Sequence, residues 1–419
     1  MRRTSARAGM TRSVPVAAAL VLSACAAPAA EPTAEPLRAD VEFVGVAADV
    51  ARDDTMAAAS VRLATQLLDL GEPGRDVVAS PLSLQLALAL LREGASGRVA
   101  EEIDAAAGLT GSQAVADLRA ALAEHEGDVA GIDPDDPPET PLLHIADSAF
   151  VQEDYPVEQT FLDRIAAFHL ADVFPADFAS GDAKPALDAW VERETGGLLD
   201  ECPITPTPDT RLVLMDAVTF GATWRSQFHA NATWEGPFTR ADGTQATVPL
   251  MHQTMSAPYA DGDGWVAVEL AYTDDFVMRL VLPDAATVPA GTWEQVHADL
   301  GRAAERRVAL TVPTWETDAT LQVTDALDDL GLGSLRAPQG DLDGVFRDAF
   351  VSAVAQGATI TVAERGTVAA AVTAIGLEAG AAPEPALEVR FDRPFEYQVV
   401  HPATGLVLFA GRVLDPSAG

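Results

Sequence analysis

"VAERGTVAAAVTAIGLEAGAAPEPALEVRF", Val362 to Phe391, begins like a β-strand, runs on through alanines and β-branched residues, and ends in a Pro/Ala/Glu segment ahead of a second apolar strand. A flexible connection is normally built from Gly, Ser, Pro and charged residues, and "EAGAAPEPALE" fits that composition. "TVAAAVT" does not. Thr367, Ala369, Ala371, Thr373, Ile375, Leu377 and Ala379 fall on one face of an extended chain, and all are small or apolar, with no charge and no proline among them. The segment carries the pattern of a strand that can be buried, at a place where a surface loop is expected.

Around it lies a chain of 419 residues, 48% hydrophobic and 21% charged, enough to bury a large core in one or two domains. The formal net charge of -36 excludes nucleic acid as a partner through a basic surface, and anionic lipid on the same ground, because phosphate affinity rests on Lys and Arg. Lys184 is the only lysine and Asn231 the only asparagine, so lysine-based covalent chemistry has a single candidate.

The amino terminus reads as an export signal over residues 1–24. Arg2, Arg3, Arg7 and Arg12 precede the apolar run "VPVAAALVL", which is too short to remain as a membrane-spanning helix, and "LSAC" ends at Cys25. "LSAC" resembles a bacterial lipobox, whose cysteine becomes the lipidated first residue of the mature chain. Residues 25–49, with "AAPAAEPTAEPLRAD", then form a flexible tether holding the protein at the outer face of the cytoplasmic membrane. Cleavage without lipidation gives a soluble extracellular protein instead. Cys202 is the only other cysteine, so no structural disulfide is expected.

Thr55 to Leu70 has helical spacing, and Ser80-Pro81 sets a capping residue before a proline that opens the almost wholly apolar helix "LSLQLALALL". Ser96 opens a third helix. Asp128 to Pro141 is a polar, proline-rich loop. "LLHIADSAFVQ" from Leu142 reads as a strand, Gln159 to Leu170 and Lys184 to Glu194 as helices, and Arg211 to Trp224 as a long apolar strand with Asp216 inside it, a buried carboxylate that needs a partner. Trp265–Leu270 and Phe276–Leu282 read as paired strands, Trp293–Ala304 as a helix, Val308–Val312 as a strand and Leu321–Leu330 as a helix closed by Gly331. Ala349–Glu364 reads as a strand, and "FEYQVVHPATGLVLFAGRV" as a hairpin about "PATG". Helices dominate the first half and strands the second, which makes the class α+β.

Catalytic motifs are absent from the sequence. The seven histidines, His125, His144, His169, His229, His252, His297 and His401, make no HExxH or i,i+4 pair, so no metal site or cofactor is indicated. No G-x-S-x-G elbow, S-x-x-K pair, P-loop or G-x-G-x-x-G occurs, and the chain is not read as an enzyme.

The order of segments identifies a family. "VVASPLSLQLALALLREGASGRVAEEI" (Val77 to Ile103), "DAWVERETGGLL" (Asp188 to Leu199), "LVLMDAVTFGATW", "VPLMHQ", "VALTVPTWETDATLQVTDALDDLGL", "AERGTVAAAVT" and "RPFEYQVVHPATGLVLFAGRVLDP" together resemble the serpins, the serine protease inhibitor superfamily, over about residues 50 to 416. The resemblance implies one domain, residues 50–419, with helices around a large central, mostly antiparallel sheet, smaller sheets and an exposed reactive loop. It also implies a monomer whose partner is a serine protease, held as a covalent acyl complex. In serpins the strand-like run enters the central sheet as an extra strand once a protease cuts it. About 14 residues at ~3.3 Å each reach ~46 Å, against a diameter of about 55 Å for a compact chain of this length, so insertion would carry a tethered protease nearly across the body. Ten or so new ladder hydrogen bonds at a net ~1 kcal/mol each supply about 10 kcal/mol.

Carried over residue by residue, the resemblance assigns a hinge to Glu364, Gly366, Thr367, Ala369, Ala370 and Ala371, a shutter to Ser80, Pro81, Ser83, Asp216 and Gln356, a breach to Trp224, and the nominal reactive bond to Gly380–Ala381. Counting back from Phe391 puts the bond near Pro383–Glu384. The family's asparagines are Asp188 and Asp216 here, its lysine before the strand tryptophan is Ala222, and its strand histidine is Gln356. Asp216 is expected to accept a hydrogen bond from the Gln356 amide or from Ser80 or Ser83. Val368 and Val372 replace an acidic residue and a threonine. With no Arg or Lys between Thr367 and Val389, the loop suits elastase-like or subtilisin-like proteases. The other reading is a non-inhibitory lipoprotein of the same fold, acting as a binding module.

Overall fold

A computed structural model describes residues 35–37, 39–46, 52–130, 132–133, 136–285, 287–336, 340–367 and 386–418. Cys25, Ala369, Ala370, Ala371, Gly380 and Ala381 therefore lie outside the described residues, as does the export signal. The helices are Asp54–Leu68 (α1), Pro81–Arg92 (α2), Gly97–Ala107 (α3), Ser112–Leu122 (α4), Gln159–Phe168 (α5), Ala183–Glu194 (α6) and Thr292–Leu300 (α7). The strands are Val77–Ala79 (β1), Leu142–Gln152 (β2), Asp172–Ala176 (β3), Leu212–Thr223 (β4), Trp234–Thr239 (β5), Gln245–Gly262 (β6), Trp265–Ala271 (β7) and Val277–Pro283 (β8). They continue with Glu305–Pro313 (β9), Trp315–Gln322 (β10), Ala355–Val362 (β11), Gly366–Thr367 (β12), Leu387–Arg390 (β13), Phe395–His401 (β14) and Leu406–Val413 (β15).

Helix starts follow their chemistry. Asp53 accepts from the Thr55 and Met56 amides at the head of α1, and the Ser80 hydroxyl accepts from the Ser83 amide at the head of α2, where Pro81 has no N–H that would need an acceptor. With ten of its twelve residues buried, α2 runs through the core rather than along the surface.

Two sheets organise the rest. One runs β1-β15-β14-β8-β7-β6-β9-β13, with β5 added on β6. The other, which carries the site, runs β10-β11-β12-β4-β2-β3. Its face toward α6 packs Phe150, Val213, Met215 and Ala217 on Leu187, Trp190 and Val191. Residues of the opposite parity on β4, Leu212 and Phe220 among them, join the two larger cores.

The segment expected as a helix, Leu321–Leu330, is a correction. The chain is strand β10 to Gln322 and then a single 3-10 turn, Thr324–Ala326, tied to the Val354 carbonyl through the Val323 and Thr324 amides. Val323, Leu327 and Leu330 imitate helical spacing, but Trp315, Thr317 and Leu321 alternate as buried residues and pair with β11 along all eight positions of each strand. The run expected as a strand over Ala349–Glu364 narrows to β11. Strands β5 and β6 were not legible, because Pro237, Pro249 and Pro258 and the polar "HQTMS" mask a period of two.

Candidate functional site: the gap between β4 and β11

Strands β4 and β11 run parallel to each other, and β12, two residues long, is the only strand between them among the described residues. Thr367 pairs with Val362 on one side and Ala222 on the other, and Gly366 pairs with Thr223. Below this, the edges of β4 and β11 that face one another carry no partner strand among the described residues. Two unpaired edges separated by one strand's width are a template for an added antiparallel strand. A cavity of about 130 Å³ occupies the gap, lined by Leu214, Asp216, Val218, Gln356, Ala358 and Ile360, with Ser80, Ser83 and Leu84 of α2 behind it.

The top of the gap is held by the residues assigned to hinge and breach. Trp224 donates from its indole to the Ala363 carbonyl at 3.0 Å and from its amide to the Arg365 carbonyl at 2.7 Å. Glu364 accepts from the Phe228 amide through its carbonyl, at 2.8 Å, and from the Thr233 hydroxyl through its carboxylate, at 2.7 Å. A Cβ on Gly366 would lie 2.1 Å from the Ala222 carbonyl oxygen, so only glycine fits there. Thr367 is buried, its hydroxyl 2.5 Å from that of Tyr272, whose ring stacks on Trp224. Burial pushes the Tyr272 phenol far above its usual range, which keeps it a neutral hydrogen-bond partner.

Midway down the gap, the shutter residues meet in a different arrangement from the expected one. Gln356 accepts from the Ser80 amide at 2.8 Å and donates to the Ser80 carbonyl at 2.8 Å, and the Ser80 hydroxyl donates to the Leu408 carbonyl at 2.7 Å. A planar amide sets an N–H and a C=O side by side, which matches the N–H and C=O of Ser80 where β1 turns into α2, the carbonyl also accepting from the Leu84 amide at 3.4 Å. Gln356 makes no hydrogen bond to Asp216. Asp216 instead stands opposite Asp147 of β2, and the Arg119 guanidinium of α4 binds the Asp147 carboxyl and the Ile145 carbonyl, not Asp216. Ser83 and Asp147 lie beside the Asp216 carboxyl, but neither is in hydrogen-bonding geometry, and both buried oxygens are without a partner. Burial first, and the Asp147 carboxyl second, push the Asp216 pKa well above the usual carboxylate range. Sequence reasoning missed Arg119 and Asp147, since a charge on a helix and one in a strand carry no sign that they will meet.

On the other face, α6 covers the gap. Its Trp190 and Thr195, together with Leu199 beyond its end, line the cavity. Asp188 contacts Lys184 and accepts from the Cys202 amide at 2.7 Å, fixing the loop after the helix. Cys202 is a buried free thiol. His144 of β2 bridges Glu126 and Glu194, the latter at 3.0 Å, and these two hydrogen bonds raise its pKa to about 9.

Comparisons with known proteins agree with this geometry. A family profile described as Serpin (serine protease inhibitor) matches residues 54–416. An uncharacterised serpin-like protein of Thermococcus kodakarensis is 30% identical over 377 residues, covering 84% of this chain and 83% of the relative. Serpin A3-6 of Bos taurus is 29% identical over 366 residues, covering 84% and 85%. Among solved structures, the thermophilic serpin tengpin in its native state superposes with a TM-score of 0.78 at 23% identity, covering 91% of this chain and 99% of that one. Cleaved Serpin 42Da gives 0.72 at 26%, covering 86% and 97%.

Proposed function

The chain belongs to the serpin family, and from that premise we propose that it inhibits serine proteases as a suicide substrate, by cleavage of the loop after Thr367 and insertion of that loop between β4 and β11. The observation that carries this reading is the gap itself, closed by β12 at its top and, among the described residues, unpaired below. Continuing the register of β12 downward by six residues sets Thr373 opposite both Asp216 and Gln356, and four more set Leu377 opposite Leu212 at the foot of β4. Thr373 would share the face of the buried Thr367, so its hydroxyl would arrive beside the unpartnered Asp216 carboxyl. The sequence supplies small or apolar residues at every other position on that face. The targets are elastase-like or subtilisin-like enzymes, the cut falls at or near Gly380–Ala381, and the monomeric inhibitor is tethered through lipidated Cys25.

The alternative, a non-inhibitory serpin acting as a binding module, has the same fold and would leave the gap unfilled. Incubation with elastase or subtilisin separates the two. Inhibition gives an SDS-resistant adduct and, after loop cleavage, a large rise in thermal stability from about 10 kcal/mol of new strand pairing. Cleavage with neither result favours the binding module.

A further inference from the structure

The structure assigns a divalent-cation site of the zinc class to Glu124, His125 and Asp275, outside the strand gap. His125 ends the 3-10 turn Ala123–His125 that follows α4, and Asp275 lies in the β7–β8 turn. The imidazole is buried, 8% exposed, with Phe276 edge-on at 4.8 Å and the His401 ring 6.2 Å away. Its Nε2 has no hydrogen-bond partner. That nitrogen points between two carboxylates, Glu124 Oε1 at 3.6 Å and Asp275 Oδ2 at 3.8 Å, and the three ligand atoms all lie within 4.8 Å of one another.

Those separations are too long for hydrogen bonds and close to what a metal needs. Ligands about 2.0–2.1 Å from a tetrahedral zinc ion stand about 3.3–3.4 Å apart, so closing the site takes shifts of a few tenths of an ångström to about 1.5 Å. The two carboxylates are 69% and 62% exposed and can make that movement, while the buried imidazole stays fixed. Exposure on the same side leaves a fourth position for water. One imidazole with two carboxylates suits zinc and its first-row neighbours better than magnesium or calcium, which favour all-oxygen shells. Two carboxylates also balance a divalent charge, and a chain of net charge -36 attracts cations. A bound ion would clip the end of α4 to the turn that presents Tyr272, the partner of Thr367. The sequence hid this because Glu124-His125 and Asp275 are distant in the chain and match no metal spacing.

Calorimetric titration of the chelator-treated full chain with ZnCl2 tests the assignment, alongside Co2+ absorption spectra and melting temperatures. One ion per chain with micromolar affinity is expected, a visible Co2+ band of tetrahedral intensity, and a melting temperature raised by about 2–4 °C at saturating zinc. Glu124→Gln and Asp275→Asn should each weaken binding about ten-fold or more and remove the shift. Both are exposed, and asparagine tolerates the positive φ of 36° at residue 275. No zinc binding by the parent chain overturns the assignment, and so does binding that survives both variants, which would place the ion elsewhere, such as at Cys25 or at His144 with Glu126 and Glu194.

Discussion

Asp147 and Asp216 stand directly opposite each other in the β2–β4 ladder, and of the two carboxyls the Arg119 guanidinium binds that of Asp147. Two buried carboxyl groups on one face with one cation beside them cannot both ionise cheaply, and the cation pairs with Asp147 while burial, then the Asp147 carboxyl, raises the pKa of Asp216. Because its folded pKa lies above its unfolded value, Asp216 adds no ionisation cost at low pH, and stability falls as pH climbs past the unfolded value near 4. Asp216→Asn should remove that slope and stabilise the uncut protein at neutral pH relative to low pH, by about 1.4 kcal/mol for each unit by which the folded pKa is raised. Urea unfolding at about pH 5 and pH 8 measures it. An unchanged pH dependence in the variant would show that the pair is not strained.

Thr367 is the residue that has already entered the gap. Thr367→Arg should leave the loop cleavable but abolish trapping, since an unpaired guanidinium buried beside Tyr272 and Ala222 blocks further entry. The inhibitor becomes a substrate, visible as loss of the SDS-resistant band with the cut fragment retained. Covalent complexes at the parent ratio would refute the insertion mechanism for this protein.

His144 ties β2 to the end of α6 through Glu194. Its folded pKa, about 9, lies above its ordinary 6.5, so its contribution to stability is complete below that lower value and is lost as pH rises through about 9. The parent should lose stability between about pH 7 and pH 9.5, and His144→Gln should start lower and change less over that range. Parallel curves for the two proteins would remove His144 from this role.

Specificity follows from the absence of a cation in the loop. Elastase and subtilisin should form stable complexes and trypsin none, with mass spectrometry placing the cut within a few residues of Gly380–Ala381. Complexes with trypsin alone would reverse the assignment.

The proposed anchoring rests on Cys25 alone. Cys25→Ala should move the protein from the membrane fraction to the soluble one, because the acidic body offers no basic surface to anionic lipid. The variant remaining on membranes would defeat the lipobox reading.

The sequence by itself determined the helices with strong caps, the long strands of one parity, the hairpin about "PATG" and, through seven ordered segments, the family. Each depends on neighbours a few residues apart or on the order of segments along the chain. Boundaries failed where local pattern was ambiguous, as at Val323, Leu327 and Leu330, whose helical spacing yields to the β10–β11 ladder. Only the tertiary structure decided the partners of polar groups. Gln356 meets the Ser80 backbone, Asp216 meets Asp147, and His125 meets Asp275 because strand register and the packing of α4 place them side by side. Residues far apart in the chain acquire an electrostatic relationship only when folding brings them within a few ångströms, and no periodicity in the chain encodes that distance.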